Sequence, residues 1–255
     1  SERGPTMNFT KMEALGNDFV VVEGISPDPD LVRHLCDRRR GIGADGVLVV
    51  DDFPSMRYWN ADGSPAQMCG NGLRCVARYA VDRGWEKEKE WFSIVTPVGE
   101  RRALVDGELI TVEVGKVTIG GMLRIGDRVY HEASVGNPHA VTLVDDPYEV
   151  AVEEEGPAVS SDPAFPEGTN VEFVAVEDER RLRMRVWERG VGETLACGSG
   201  MVAATAVAVG ATSEPVTVVV PGGVGQVFFD QGDAYLVGPA VSVFWGQWPE
   251  LSAAS

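Results

Sequence analysis

The sequence contains little positive charge. Of its 255 residues only four are lysine, and 22 Lys and Arg stand against 39 Asp and Glu, which gives a net charge of −17 at pH 7. This balance argues against a nucleic-acid backbone or an anionic membrane as a partner, because both repel an acidic surface. No lysine stands in a glycine-rich phosphate-binding segment, which argues against a pyridoxal-phosphate enzyme.

Cysteine and histidine are also scarce, and neither has metal-ligand spacing. The cysteines are Cys36, Cys69, Cys75 and Cys197, and the histidines are His34, His131 and His139. Since no Cys-x-x-Cys motif occurs, we expect free thiols, no metal site and no cofactor. The sequence also lacks a signal-peptide pattern and an apolar run long enough to span a bilayer, so we predict a soluble cytoplasmic protein.

One segment of the chain occurs twice. A shift of 128 residues places Met184–Glu188 on Met56–Asn60 and Cys197–Gly200 on Cys69–Gly72. Over the 17 positions from 56 to 72 this shift matches six identical residues, where average composition supplies roughly one. We interpret the match as an internal duplication.

Each copy predicts a short strand, a glycine-bearing loop, a cysteine and then a helix. After Cys69 the apolar residues recur at the spacing of an amphipathic helix that stops at Gly84, whereas Met201–Val209, after Cys197, is apolar on all sides. Both thiols should lie at helix N-termini, where unpaired N–H groups and the helix dipole lower a thiol pKa from about 8.5 toward neutrality. The neighbouring glycines leave room for a carboxylate to approach the backbone.

The whole pattern predicts an α/β fold of mixed sheets with two pseudo-symmetric domains, each a mixed β-sheet or barrel wrapped around a central helix. We expect one domain over residues 1–116, to which 241–255 returns as a closing strand, and the other over 117–240. A further helix is expected over Asp30–Arg40. Turns are expected at Pro97–Gly99, Asp106–Gly107 and Gly120–Gly121.

The segment Gly41–Gly46 formally matches the dinucleotide-binding pattern Gly-x-Gly-x-x-Gly. It follows a predicted helix and precedes a predicted strand, which is the reverse of the order that this pattern requires. We therefore interpret it as a plain connection. Its last four residues resemble Gly168–Val171, so that Asp45 corresponds to Asn170, and the second half also repeats Leu15–Phe19 as Val135–His139.

Two cysteines in one repeated setting suggest a common chemical task. Folding of the duplicated halves about a pseudo-two-fold axis would bring both helix N-termini to the cleft between the domains. A thiolate could then remove a proton from one face of an α-carbon while a thiol delivers another to the opposite face, which is racemisation or epimerisation without a cofactor. Taken singly, each cysteine could be no more than a small buried residue.

Several longer motifs are similar to those of a known family. They are Asn60–Ser64, Cys69–Cys75, Gly136–His139, Glu188–Thr194 and Ala196–Gly200. Together they resemble the diaminopimelate epimerase family over nearly the whole chain from Met7, and the cysteine motif is highly specific. The resemblance implies two pseudo-symmetric α/β domains, no cofactor, and conversion of LL-diaminopimelate to the meso form for lysine and cell-wall synthesis. A homodimer is compatible with this resemblance.

The resemblance also implies roles for single residues. Cys69 and Cys197 would be the two bases. The residues that would hold the carboxylate of the reacting centre through the helix starts are Gly70, Asn71, Gly198 and Ser199. Those that would hold the distal amino-acid end are Asn17, Asn60, Asn137, Asn170 and Arg189. Glu188 would accept from an ammonium group, and His139 with Glu188 would tune the thiols.

Two other functions stay open at this point. A racemase of the same fold could act on another amino acid such as histidine, and a non-catalytic amino-acid-binding protein could use Cys69 and Cys197 as a reversible thiol switch. Single residues have structural alternatives as well, since Arg189 could be a solvated loop charge and His139 a hydrogen-bonded structural residue. Asn17 and Asn137 could be ordinary Asx turns.

Overall fold

A computed structural model of the protein describes residues 6–51, 54–66 and 69–249. Contacts within the chain divide it into two compact units. The first unit comprises the described residues within 1–14, 18–110 and 240–255, and the second unit comprises 15–17 and 111–239. Residues 1–5 and 250–255 of the predicted first domain lie outside the described residues.

Strands predominate throughout the chain. The elements up to residue 116 are β1 (Thr6–Ala14), β2 (Asn17–Glu23), α1 (Pro29–Cys36), β3 (Gly46–Asp51), β4 (Ser55–Asn60), β5 (Pro65–Ala66), α2 (Gly70–Asp82), β6 (Phe92–Thr96), β7 (Gly99–Asp106) and β8 (Leu109–Lys116). Those that follow are β9 (Thr118–Ile125), β10 (Arg128–Ser134), β11 (Pro138–Leu143), a 3-10 helix (Pro147–Glu149), α3 (Val152–Ser160), β12 (Asn170–Asp178), β13 (Arg181–Glu188), β14 (Gly192–Thr194), α4 (Gly198–Ala208), β15 (Val216–Val220), β16 (Gly223–Asp230), β17 (Asp233–Pro239) and β18 (Val241–Pro249).

The two units repeat one order of strand pairing. In the first unit β2 pairs parallel with β3, β3 antiparallel with β4, β4 parallel with β6, and β6 antiparallel with β7. In the second unit β11, β12, β13, β15 and β16 pair in the same succession of parallel and antiparallel ladders. Within the first unit β18 also pairs antiparallel with β1. The predicted mixed α/β fold with an internal duplication is confirmed.

The register of the parallel ladders shows which residues are equivalent. Phe19 pairs with Gly46 in the first unit, and His139 pairs with Asn170 in the second. Asn170 therefore corresponds to Gly46 and not to Asp45, so the sequence match was wrong by one residue. A shift of one residue turns every side chain of a strand to the opposite face, and hence the pairing register decides the correspondence.

A central helix lies in the core of each unit. Helix α2 contacts β1, β3, β4, β7 and β18, whereas α4 contacts β10 to β13 and β15 to β17. In α4 the residues Met201–Thr205 are all 0% exposed. Burial in α2 runs from Gly70 to Ala77, so this helix is more enclosed than its amphipathic pattern suggested, because strands contact it on several sides. Gly84 and Gly210 follow the two helices with φ values of +73° and +96°, which glycine adopts without strain.

Helix α1 ends earlier than predicted. It was expected over Asp30–Arg40 but runs over Pro29–Cys36. The chain turns extended at Asp37, with φ −60° and ψ 118°, and the Asp37 carboxylate accepts the N–H groups of Arg39 and Arg40 at 2.8 Å. These amides bind a side chain where a longer helix would bind them to its own carbonyls. The segment that follows is a plain connection to β3, as predicted.

The predicted turn at Gly120–Gly121 is wrong. Both glycines lie within β9, which pairs antiparallel with β10. A Cβ on Gly120 would lie 2.9 Å from the Glu132 Cβ, and the Gly121 N–H donates to Glu132 Oε2 at 3.1 Å. These glycines therefore serve the close approach of a neighbouring strand and not a reversal of the chain.

Candidate active site

Cys197 caps the central helix of the second unit. Its backbone is extended, with φ −123° and ψ 114°, and its Sγ accepts the N–H of Gly200 at 3.4 Å. Ser199 Oγ lies 3.5 Å from the same sulfur. The residue is 6% exposed, and the helix begins directly after it at Gly198. The thiol therefore lies at the helix start that the repeat predicted.

Cys69 caps the central helix of the first unit in the same way. Its φ and ψ are −147° and 112°, and its Sγ accepts the N–H of Gly72 at 3.4 Å. Helix α2 then begins at Gly70. Cys69 is half-buried, whereas Cys197 is buried.

The third residue of each central helix is a glycine because the space beside it is filled. A Cβ on Gly72 would lie 3.1 Å from Leu48 Cδ2, and one on Gly200 would lie 2.8 Å from Glu172 Oε1. The two added atoms would also lie 3.6 and 3.4 Å from the capping sulfurs. By strand register Leu48 and Glu172 are equivalent, since each lies two residues beyond an equivalent pair. An apolar side chain thus underlies one thiol helix and a carboxylate underlies the other.

The surroundings of Cys197 oppose ionisation. Burial raises the pKa of the Cys197 thiol well above its usual value, the charges of Glu188 and Glu172 raise it further, and the hydrogen bonds from Ser199 and Gly200 act in the opposite direction. The prediction that the helix start lowers this pKa is therefore wrong for Cys197. The effect of the helix start is outweighed because the sulfur is buried and the charges of Glu188 and Glu172 act on it. These surroundings favour the neutral thiol of Cys197.

A buried cation accompanies Cys69. Arg74 is 0% exposed in α2 and donates to Asn71 Oδ1 at 2.8 Å. Burial lowers the pKa of Arg74 to about 10, while the charges of Cys75 and Cys69 act in the opposite direction. The guanidinium therefore stays charged at pH 7 and attracts negative charge on Cys69. The 128-residue shift places Val202 at this position of the repeat, so the second unit has no equivalent cation there.

A buried histidine–carboxylate pair adjoins Cys197. His139 Nδ1 lies 2.6 Å from Glu172 Oε1, and both side chains are 0% exposed. His139 Nε2 lies 3.1 Å from Asn137 Oδ1, and Asn137 Nδ2 donates to Ser199 Oγ at 3.3 Å. Since Ser199 Oγ contacts Cys197 Sγ, a continuous chain of polar contacts connects the buried carboxylate to the thiol.

The sequence motifs indicated His139, Asn137 and Ser199 but not Glu172. The available signal was a single charged residue in the run Asn170–Val176, which is otherwise apolar after its first residue. The first six residues of β12 are all buried, so a carboxylate in that run must lie inside the unit. A buried carboxylate requires compensating partners, which is why it marks a site.

Glu188 ends β13 beside the same thiol. Thr194 Oγ1 donates to Glu188 Oε1 at 2.5 Å, and the charge of Glu188 acts on the Cys197 thiol. Burial raises the pKa of Glu188 and the charge of Glu172 adds to this effect, while the bond from Thr194 opposes it. The tuning role implied for Glu188 stays a prediction, but its carboxylate does lie next to a candidate catalytic sulfur.

Asn170 and Arg189 lie together at adjoining ends of β12 and β13. Asn170 Oδ1 accepts the Arg189 N–H at 2.8 Å, and its Nδ2 donates to the Pro138 carbonyl at 3.3 Å. The Arg189 side chain is exposed and donates to the Glu167 carbonyl at 3.0 Å. The backbone of Arg189 is thus held firmly while its guanidinium stays accessible.

The remaining predicted residues are divided between the units. Asn60 lies in the first unit, where its Nδ2 donates to Ser64 Oγ at 3.1 Å. Asn71 is 2% exposed, and its Oδ1 accepts from Arg74 of the same helix, so its side chain is held within the first unit. Asn17 is half-buried and belongs to the second unit.

The described ranges contain neither a metal cluster nor a membrane helix. Within them, no group of three or more His, Cys, Asp or Glu side chains is arranged to hold a metal ion. None of the helices found in these ranges is long and apolar enough to cross a membrane.

Solved structures share the duplicated fold. A phenazine biosynthesis protein of the PhzF family from Bacillus anthracis has a TM-score of 0.75 at 18% identity, with 96% of this chain and 99% of that chain covered. A hydroxyproline epimerase from Agrobacterium vitis has a TM-score of 0.74 at 14% identity, with 97% and 94% covered. At these identities the likeness shows the fold, and the two cysteine-capped helices define the class as a duplicated α/β protein with one capping thiol in each unit.

Sequence relatives narrow this class to one family. The family model for diaminopimelate epimerase matches residues 9–120 and again residues 132–243. Proteins named diaminopimelate epimerase are 41% identical in Desulforudis audaxviator, covering 95% of this chain and 99% of the relative, and 40% identical in Gluconobacter oxydans, covering 94% and 98%. The chain belongs to the diaminopimelate epimerase family, and the prediction of an isomerase is confirmed.

Replacement of Glu188 with Gln should make Cys197 ionise at lower pH. Gln keeps the size of the side chain but removes a negative charge beside the sulfur, so the pKa of Cys197 falls. The pH dependence of Cys197 alkylation by iodoacetamide, followed by peptide mass spectrometry, measures this shift. Alkylation of Cys69 in the same samples is the internal reference.

Glu167→Gln is the matched control for this experiment. Glu167 is exposed in the same unit, and its replacement also removes one carboxylate. The alkylation profiles of both cysteines should stay at their wild-type positions. A Cys197 profile that stays in place or moves to higher pH in Glu188→Gln would contradict the electrostatic account.

Proposed function

We propose that the protein interconverts LL- and meso-diaminopimelate without a cofactor, with Cys69 and Cys197 as the acid and base at one α-carbon. The observation that carries this proposal is the repeated cap, in which each sulfur accepts a first-turn N–H of its central helix at 3.4 Å. Family membership supports the substrate, since the curated relatives are named diaminopimelate epimerase. The use of two thiols at one carbon is the part that experiment must establish.

Each turnover in this scheme removes one proton from the α-carbon and returns another. A thiolate takes the α-hydrogen from one face and becomes a thiol, while the electron pair of the broken C–H bond delocalises toward the substrate carboxylate. The thiol on the opposite face gives its proton to the carbon and becomes a thiolate. Proton exchange between the sulfurs and solvent restores the starting state.

The charges around the sulfurs support one starting state. Burial, Glu188 and Glu172 raise the pKa of Cys197, so this residue begins as the thiol. The cation of Arg74 attracts negative charge on Cys69. We infer that Cys69 begins as the base and Cys197 as the acid.

Stabilisation of the carboxylate must supply much of the catalysis. General acid–base catalysis contributes only about 10²–10⁴-fold, whereas an amino-acid α-proton is a very weak acid. The N–H groups that begin α2 and α4 are suited to hold the charge that moves onto the carboxylate. The proposed carboxylate-binding residues are Gly70, Asn71, Gly198 and Ser199.

The distal end of the substrate requires partners that bind without reacting. Arg189 supports recognition of a distal carboxylate because its exposed guanidinium can bind two oxygens at once. Glu188 is proposed to accept a hydrogen bond from an ammonium group. The neutral amides proposed to complete this subsite are Asn17, Asn60, Asn137 and Asn170.

The same proposal includes a setting for the reaction. We place it in the cytoplasm, where a reducing environment keeps cysteines free, as all four are here.

We also propose a homodimer, supported by the apolar side chains Val241, Val243, Phe244 and Trp245 of β18, which are 44% to 82% exposed. Sedimentation should then give about twice the mass of one chain. The meso product would serve lysine and peptidoglycan synthesis.

Replacement of either capping cysteine should abolish most of the epimerisation. Cys69→Ser and Cys197→Ser should each lower kcat by about 10²–10⁴-fold, because a serine hydroxyl is a far weaker acid than a thiol. Proton NMR in deuterium oxide measures solvent exchange at the α-carbon, and chiral chromatography measures inversion. Cys36→Ala is the control, since Cys36 lies in α1 and burial raises its thiol pKa to about 12.

The outcomes of this experiment separate the enzyme from a thiol switch. Exchange and inversion by the wild type, lost in both serine variants and kept in Cys36→Ala, support the two-base reaction. Absence of exchange with reduced, folded wild type removes the assignment. Serine variants that keep full ligand affinity, in a protein without turnover, indicate a binding protein.

Arg189→Met should weaken only substrates with a distal carboxylate. Loss of its charged hydrogen bonds should raise KM for diaminopimelate roughly 10–100-fold and leave the turnover of other amino acids unchanged. Arg181→Met is the matched control, because Arg181 is an exposed arginine of the same unit paired with Glu177 at 2.9 Å. Faster wild-type racemisation of histidine than of diaminopimelate would favour the alternative substrate class.

A further inference from the structure

We propose that Glu172 is a positioning residue of this site, which acts through His139 and Asn137 to orient the polar groups around Cys197 for proton transfer. The inference rests on the proposed function, because it assigns Glu172 a part in the chemistry of that thiol. Glu172 itself is enclosed at 0% exposure and does not contact the sulfur through any direct hydrogen bond among the described residues.

The contacts of His139 define where its proton must lie. Asn137 Nδ2 donates to Ser199 Oγ, which leaves the amide oxygen of Asn137 facing His139 Nε2 at 3.1 Å. An amide oxygen only accepts, so Nε2 must carry a proton. The other ring nitrogen, Nδ1, contacts the Glu172 carboxyl at 2.6 Å. An ionised carboxyl also only accepts, so Nδ1 donates to Glu172 while Nε2 donates to Asn137, and the negative charge of Glu172 balances a ring that donates from both nitrogens.

Loss of this constraint would be transmitted to the thiol. With the tautomer that lacks a proton on Nε2, two acceptor atoms would face each other and the amide of Asn137 would turn over. Its oxygen would then replace its N–H group next to Ser199, and the Ser199 hydroxyl would reorient. Since Ser199 Oγ lies 3.5 Å from Cys197 Sγ, the hydrogen bonding of the sulfur would change with it.

The structure of the first unit shows that the fold does not require this pair. The residues equivalent to His139 and Glu172 by strand register are Phe19 and Leu48, both buried and apolar. Leu48 lies against Gly72 of the Cys69-capped helix, as Glu172 lies against Gly200 of the other helix. An apolar pair therefore satisfies the packing, and a buried ion pair is often no more stabilising than its apolar replacement.

Glu172 also retains an unsatisfied polar atom. Its Oε2 is buried without a hydrogen-bond partner in the part of the chain that the structure describes. Most buried polar atoms in proteins have partners, so such an atom requires an explanation. A carboxylate kept in an apolar strand at this cost, in one of two equivalent places, points to the chemistry of the cysteine above it.

Glu172→Gln tests the proposal with the complete protein. The side chain keeps its shape but loses the negative charge that balances a ring donating from both nitrogens, so a neutral His139 can no longer donate to Glu172's replacement and to Asn137 at the same time. Inversion of diaminopimelate should fall about 10–100-fold in kcat, with KM within about twofold, which is the size of effect known for carboxylates that orient metal-ligating imidazoles. Initial rates of inversion and of solvent-deuterium entry with retained configuration are measured for each stereoisomer.

The retained-configuration exchange distinguishes positioning from general damage. Glu172 acts on Cys197, so the isomer whose α-hydrogen Cys69 removes should still lose that hydrogen and regain deuterium on the same face. The ratio of retained exchange to inversion should therefore rise several-fold for that isomer. A purely structural residue would lower both rates together and leave this ratio unchanged.

A double variant supplies the folding control. His139→Phe with Glu172→Leu copies the pair of the first unit into the second, and should match the wild type in thermal unfolding while showing the same loss of inversion. This variant decides the question if Glu172→Gln does not fold. Glu167→Gln, at an exposed carboxylate of the same unit, should show wild-type kcat, KM and exchange ratio.

Three results would overturn the proposal. They are a kcat for Glu172→Gln within about twofold of the wild type, a parallel fall of exchange and inversion, and full inversion by the folded double variant. Absence of all exchange in the wild type would instead remove the proposed function, and this inference with it. Failure of the inference alone leaves the wild-type reaction and its dependence on the cysteines intact.

Discussion

The hydrogen bond from a helical N–H to a cysteine sulfur organises both halves of this protein. It requires an extended cysteine before the helix, a glycine as the third helical residue, and a helix held in place by surrounding strands. A sulfur in this position shares the end of the helix with other first-turn N–H groups, which are suited to an anionic ligand. The same local structure therefore begins the helix and holds a thiol beside N–H groups that can bind an anion.

The duplication preserved this backbone arrangement and changed the charges around it. Beneath the helix of Cys69 lies the apolar Leu48, and a buried arginine accompanies the sulfur. Beneath the helix of Cys197 lies Glu172, and Glu188 adds a second carboxylate. Two similar helix starts thus hold sulfurs in opposite electrostatic surroundings. Such a difference is useful to a reaction in which one sulfur must begin without a proton and the other with one.

Much of the fold was predictable because its signals are local and occur twice. The repeated cysteine and glycine motif indicated both helix starts, and the strand patterns indicated mixed sheets. Errors arose where the local pattern competed with another hydrogen-bond or packing partner, either nearby or distant in the chain. Asp37 ended α1 by binding the following amides, and the glycines at 120–121 continued a strand because a neighbouring strand required close approach. Composition alone could not distinguish these cases from a longer helix and a turn.

By itself, the sequence determined the duplication, the cysteine-capped helices and the family, because each depends on residue identities at fixed spacing. Only the tertiary structure decided the protonation of Cys197, since burial and two carboxylates from separate strands outweigh the helix dipole there. It also decided the correspondence between Gly46 and Asn170, and it brought Glu172 beneath a thiol helix. Strand register and burial depend on contacts between distant segments, and no local pattern encodes them.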